Sequence, residues 1–137
     1  MAGLIEEHIQ RARQLLAAAE AEYQKAQQER GGAAVTSLRN SCGKGWLASL
    51  EAAKAFFLKQ GVGQAELPDT DRGRRYFVRR YMSREMRRAY AELWKTFHIE
   101  GYYEGIVEFD DMPENFQELR EFIDSVEAAP TQESVAE

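Results

Sequence analysis

The sequence predicts an all-α protein, a four-helix up-and-down antiparallel bundle. Three observations carry this expectation. Apolar residues recur three and four apart through most of the chain, the period of a helix with one buried side. Pro68, Pro113 and Pro130 are the only prolines and all lie outside the periodic segments, so nothing there removes a helix hydrogen bond. Glycine-bearing breaks at Gly31-Gly32, Gly61-Val62-Gly63 and around Gly101 divide the pattern into four lengths.

With 137 residues, 44% hydrophobic and 30% charged, the chain can enclose one core. We expect a single bundle domain over residues 1–128 and a polar, disordered tail over 129–137. A formal net charge of −5 speaks against DNA or general nucleic acid as partner. The single cysteine, Cys42, excludes an intrachain disulfide and fits a reducing compartment. The stretch Met1 to Glu7 lacks the basic-then-apolar layout of a secretory signal. No apolar run reaches the ~18 to 20 residues of a membrane span. A cytoplasmic protein with no membrane partner is expected.

The first helix is expected over Gly3 to Arg30, with Ile5, Ile9, Ala12, Leu16, Ala19, Tyr23 and Ala26 as its apolar stripe. Gly31-Gly32 then supplies a C-terminal stop and a short antiparallel return. His8 lies beside the stripe and reads as a surface histidine. No second ligand stands at helical spacing from it, so no metal site is expected.

The second helix, expected over Ala33 to Gln60, organises the rest. Its stripe is Val35, Leu38, Cys42, Trp46, Leu50, Ala53 and Phe57. Gly43 and Gly45 sit in its middle, where each costs about 1 kcal/mol against alanine. The absence of a Cβ lets a neighbouring backbone come close. Cys42, Gly43, Gly45 and Trp46 are therefore the expected tight-packing set, with Cys42 a small buried hydrophobe rather than a nucleophile. Two motif fragments carry no chemistry here. Gly43-Lys44 lacks the Ser or Thr and the earlier glycine of a phosphate-binding loop. Ser41-x-x-Lys44 lacks the companion motifs of the serine enzymes that use it.

After a linker from Gly61 to Thr70, the third helix is expected over Asp71 to His98. Its second half has a clean stripe of Met82, Met86, Ala89, Tyr90, Leu93, Trp94 and Phe97. Its first half is crowded by Arg72, Arg74, Arg75, Arg79, Arg80, Arg84, Arg87 and Arg88. On a helical projection Arg75 and Arg79 fall within the stripe. Three readings of the cluster stay open: a solvated face bridged to the acidic last helix, a subunit interface, or a local anion, nucleotide or RNA site.

Gly101 is the expected stop of this helix. His98, near its C-terminal end, is placed to favour protonation. With Tyr102 and Tyr103 it forms the densest set of groups able to donate hydrogen bonds or move protons. Ile106 to Phe109 reads as a short extended piece. Asp110-Asp111-Met112-Pro113 starts the last helix, with Phe116, Leu119, Phe122, Ile123 and Val126 as its stripe.

The element order, Ser41-Cys42-Gly43-x-x-Trp46-Leu47-Ala48 in the second helix and Phe97-His98-x-x-Gly101-Tyr102-Tyr103 closing the third resemble an uncharacterised bacterial family of small four-helix proteins. Its members carry a Cys/Ser-Gly centre ending in Tyr or Trp, and Leu-His-x-x-Gly-Tyr-Tyr at the later position. That family is similar to the wider HEPN group, all-helical domains that often dimerise. The likeness runs from about Ile5 to Val126, with Phe97 and the arginine-dense helix start as departures. Ribonuclease members of the HEPN group carry arginine, four to six residues, then histidine. Ala91, Glu92 and Leu93 occupy those positions ahead of His98, so the resemblance implies a fold and a dimer and not a reaction.

The functional expectation is a non-catalytic binding or interaction module: a homodimer, with a protein partner as a further option and no cofactor. The alternative is an HEPN-like nucleotide- or RNA-binding protein or enzyme. Its ligand-binding candidates are Arg75, Arg79, His98, Tyr102 and Tyr103; no residue is assigned a catalytic role.

Overall fold

The computed structural model describes residues 2–132. Among them every regular element is helical and there is no strand. No described helix is long and apolar enough to cross a membrane. The end of the expected tail, residues 133–137, lies outside the described residues.

Helix α1 spans Ala2–Gln28 and α2 spans Gly31–Lys59. The stripe expected on α1 is buried throughout, from Ile5 to Ala26. The expected glycine stop moves: Gly31 and Gly32 already belong to α2, and Gly31 takes the positive φ of 60° that turns the chain back.

Helix α2 is the centre of the molecule, and one stripe was too narrow a description of it. Val35 is exposed, while Ser41, Ala48, Ser49, Ala52 and Ala55 are fully buried. The reason is that α1, α5 (Met112–Ala128) and the segment around Phe97 all lean on it, so it buries more than one face. Small side chains let three neighbours approach at once. Its buried hydroxyls are satisfied: Ser41 Oγ donates to the Ala19 carbonyl at 2.7 Å and Ser49 Oγ to the Gly45 carbonyl at 3.0 Å. Past Gln60, Gly61 at φ 93° lets Val62 N–H reach Phe57 O and Gly61 N–H reach Leu58 O, the paired bonds of a Schellman stop.

The expected third helix is three pieces. Helix α3 spans Asp71–Tyr81 and α4 spans Arg84–Leu93. A π-helix follows over Trp94–Tyr103. Met82 and Ser83 are extended between α3 and α4, and the Ser83 hydroxyl accepts from Met86 N–H as a fresh N-cap. The sequence signal was there, Ser83 followed by Glu85 in the first turn, but it sat inside an unbroken apolar period. Gly101 does not stop the segment; Gly105, at φ 66°, follows its end. Ile106 to Glu108 is irregular and leads into a 3-10 turn over Phe109–Asp111.

Partners along the elements fix their directions. Arg13 of α1 pairs with Asp124 and Glu127 of α5, while Glu20 pairs with Arg120, so α1 and α5 run antiparallel. Tyr23 closes the far end against Phe116 and Phe109. At the other end Lys59 of α2, a buried lysine, donates to the carbonyls of Val126, Glu127 and Ala129. It thus caps the C-terminal end of α5, supplying a donor to Glu127 and Ala129 and a second one to Val126, which also accepts from Ala129 N–H. Gln132 N–H returns to the Lys59 carbonyl at 2.7 Å.

Candidate functional site

The π-helix brings the expected turn residues onto the middle of α2. The two run antiparallel, and small residues alternate with large ones across the crossing. A Cβ built on Gly45 would stand 2.6 Å from Phe97 Cδ1, and one on Gly101 would stand 2.5 Å from Cys42 Sγ. At Gly43 a Cβ would meet the Tyr102 ring at 3.1 Å. Each glycine is the socket for a side chain of the opposite helix. Arg39 then holds the end of the π-helix by donating to the carbonyls of Tyr102 and Tyr103.

A chain of rings crosses this region. Tyr90 lies 5.5 Å from Trp46, Trp46 stacks on His98 at 5.1 Å, and His98 meets Tyr103 edge-on at 4.8 Å. Tyr102 continues it at 5.4 Å from Tyr103. His98 is thus not a free helix-end histidine favouring its charged form. Burial lowers its pKa; Asp71 opposes that shift and Arg74 adds to it. Burial also pushes the Cys42 thiol up to about 12, which keeps it protonated and unreactive at neutral pH.

Two clefts flank the rings. One, about 430 Å³, lies between α2 and the π-helix and is lined by Asn40, Gly43, Lys44, Trp46, Leu47, His98 and Tyr102. Its one cation is already matched, since Lys44 Nζ reaches Glu22 Oε2 at 3.0 Å. The other, about 260 Å³, opens between α3 and α4 and is lined by Arg75, Val78, Arg79, Arg87, Tyr90, Ala91 and Trp94. So Arg75 and Arg79 come together, and His98 and Tyr102 come together, but in different clefts. Neither arginine lines the histidine cleft.

The arginine cleft carries unbalanced charge. The acidic last helix does not bridge to it: Asp124 and Glu127 pair with Arg13 instead. Among the described residues Arg75 and Arg79 make no ion pair, and Arg74 alone of the cluster has one, with Asp71 at 3.7 Å. Arg75 and Arg79 are like charges four apart on one helix, an arrangement unfavourable by about 0.2 to 0.5 kcal/mol. Beside them are buried polar atoms that make no well-formed hydrogen bond, Arg74 Nε, the Tyr90 hydroxyl, Trp94 Nε1 and Asp71 Oδ1, with the Arg74 guanidinium beside both the Tyr90 hydroxyl and Asp71. Tyr90 is only 4% exposed. Burial drives its pKa up to about 12, with Arg74 and Arg75 opposing and Asp71 adding to the shift.

Comparison with protein families, curated proteins and solved structures finds no match for this chain. The site therefore rests on its own geometry. Sequence reasoning passed over Arg87, Tyr90 and Trp94 as cleft residues, because Tyr90 and Trp94 lie four apart within an apolar period and read as core. Only the bend at Ser83, which sets α3 at an angle to α4, turns their edges toward Arg75 and Arg79.

His8 was expected at the surface. It is buried, and Nδ1 lies 2.7 Å from Glu51 Oε1 on α2. Burial works to raise the Glu51 carboxyl, but the His8 hydrogen bond and the Lys54 charge outweigh it and the net shift is downward. Among the described residues no group of acidic, cysteine or histidine side chains could hold a metal ion.

Proposed function

We propose that this protein is a non-catalytic binding and interaction module, a homodimeric four-helix up-and-down bundle of the HEPN-like kind. In this reading α3, α4 and the π-helix form one arm bent at Ser83. The antiparallel pairing of α1 with α5, and of α2 with the π-helix, supports it.

One observation carries the interaction role. Val35, Leu47, Tyr102, Tyr103 and Ile106 are all large, apolar and about half exposed. Leu47, Tyr102 and Tyr103 gather where α2 meets the π-helix: Tyr102 and Leu47 line the same cleft, and Arg39 joins α2 to the Tyr102-Tyr103 carbonyls, while Ile106 opens onto a separate groove with Glu92, Glu100 and Glu114. Val35 is one turn from Arg39. Large exposed apolar patches on a small domain mark interaction surfaces, and tyrosine is enriched at their centres. Cys42 beneath this surface is buried, and burial raises its thiol pKa, so it offers no thiolate nucleophile.

Sedimentation equilibrium tests the reading. The wild type is expected to have twice the chain mass, and Leu47→Asp with Tyr103→Asp is expected to give a monomer of unchanged helical content. A wild type that stays monomeric in concentrated solution rejects the homodimer.

A further inference from the structure

The cleft between α3 and α4 is independent of the dimer surface and has a chemistry of its own. It gathers Arg75, Arg79 and Arg87, and no acidic residue lines it. Arg87 makes one hydrogen bond, to the Met82 carbonyl at 3.2 Å, while Arg75 and Arg79 make none among the described residues. The chain as a whole is acidic, with a net charge of −5, so this concentration of positive charge is local. Of the residues lining the cleft, the Trp94 indole N–H is buried without an acceptor, and the Tyr90 hydroxyl is buried with no partner other than the neighbouring Arg74 guanidinium, which leaves its O–H free to donate. Buried donors without acceptors are uncommon in folded proteins, and each asks for an explanation. Asp71 Oδ1, an acceptor without a well-formed hydrogen bond, faces Arg74 rather than the cleft arginines.

We propose that this cleft binds a phosphomonoester. The dianion takes the Arg75, Arg79 and Arg87 guanidinium groups, and the Tyr90 hydroxyl supplies a neutral donor at the floor. Three cations without a matching carboxylate suit a doubly charged group better than a single carboxylate. Arginine's planar fork of donors fits phosphate oxygens two at a time. The cleft, about 260 Å³, exceeds a phosphate group, and its remaining walls are Val78, Ala91 and the Tyr90 and Trp94 rings. The body attached to the phosphate lies on those apolar and aromatic walls. Arg75 and Arg79 are exposed, long and unpaired, so they can swing over the ligand and uncover the hydroxyl beneath.

Calorimetric titration of the full chain at low salt tests this, with inorganic phosphate, adenosine monophosphate and adenosine as separate probes. Saturable one-site binding of the monophosphate, tighter than of phosphate and absent for adenosine, is expected. Equal affinity for phosphate and the monophosphate overturns the role of the attached body and leaves a free-phosphate site. Arg75→Gln with Arg79→Gln should weaken binding by about tenfold or more, the scale of a lost charged hydrogen bond. Arg80→Gln with Arg84→Gln removes the same charge outside the cleft and should leave affinity within about twofold. Equal losses in the two pairs would mean diffuse attraction and overturn the site, as would no saturation with any phosphate probe. Tyr90→Phe keeps the ring and removes only the buried hydroxyl. Reduced affinity with an unchanged melting temperature supports its place on the ligand, and unchanged affinity removes it from the site. Binding of a short single-stranded RNA without binding of the monophosphate would also overturn the proposal.

Discussion

Phe97 occupies the space in which a side chain on Gly45 would begin. The built Cβ stands 2.6 Å from Cδ1 and 2.7 Å from Cε1 of the ring, closer than carbon atoms approach without displacement. Phe97 is fully buried and packs against Phe116 at 6.0 Å, so the ring has little room to retreat. This relationship sets the separation of α2 from the π-helix, and through it the cleft that holds His98 and Tyr102.

Two effects compete in Gly45→Ala. Helix propensity alone favours alanine by about 1 kcal/mol. Overpacking a filled core costs about 1 to 3 kcal/mol, and the overlap here is with a ring that cannot move. The variant is expected to be destabilised by up to about 2 kcal/mol in urea unfolding, the overpacking less the propensity gain, and Gly45→Leu by more. Adding Phe97→Leu should return part of the loss, as expected for residues in contact. An alanine variant more stable than the wild type would show that the ring yields freely.

Lys59 is expected to act as a shared clasp for the ends of α2 and α5. It is 7% exposed and donates to three carbonyls at 2.7 to 3.0 Å. Lys59→Met retains most of the volume and removes every donor. The carbonyls of Glu127 and Ala129 then lose the lysine donor beside an apolar tip, while Val126 keeps only the Ala129 N–H. A loss of about 2 to 3 kcal/mol is expected, with hydrogen exchange accelerating first in the last turn of α5. A change below about 0.5 kcal/mol, the range of ordinary surface substitutions, would mean that water replaces the lysine at no cost.

The histidine stacked on Trp46 predicts an acid sensitivity of definite sign. Burial depresses its pKa from 6.5 in the folded chain. The unfolded state therefore takes up the proton first as pH falls. Stability is fully present above about pH 6.5 and declines as pH drops toward the folded value. His98→Phe keeps a ring on Trp46 and removes the titration. Unfolding measured near pH 7.5 and near pH 5 should show a smaller loss for the variant than for the wild type. Glu51, also depressed, adds a further loss below about pH 4.5 in both proteins. Parallel profiles for the two proteins down to about pH 5 would exclude His98 as the group responsible.

Much of this architecture was legible along the chain. The α1 stripe from Ile5 to Ala26 and the α5 stripe from Phe116 to Val126 are each buried residue for residue, because each of those helices turns a single face to the rest and a single face writes a clean 3.6-residue period. The mid-helix glycines of α2 announced a close approach, since only a compelling contact offsets their cost. The second buried face of α2 was harder to see: alanines and serines such as Ala48, Ala52 and Ser49 carry little hydropathy, and their burial is decided by what leans on them.

What the sequence by itself determined is the helical class, the extent of α1, α2 and α5, and the candidates Arg75, Arg79, His98, Tyr102 and Tyr103. Tertiary structure decided the rest. The bend at Ser83 puts Arg75 and Arg79 in a cleft with Arg87, Tyr90 and Trp94, while His98 lines another. The crossing at Gly45 and Gly101 takes His98 from a helix end and lays it on Trp46. Periodicity reports which side of a helix is apolar. It does not report where two helices meet or what angle a two-residue break sets between them, and a site built across such a meeting exists only once the chain has folded.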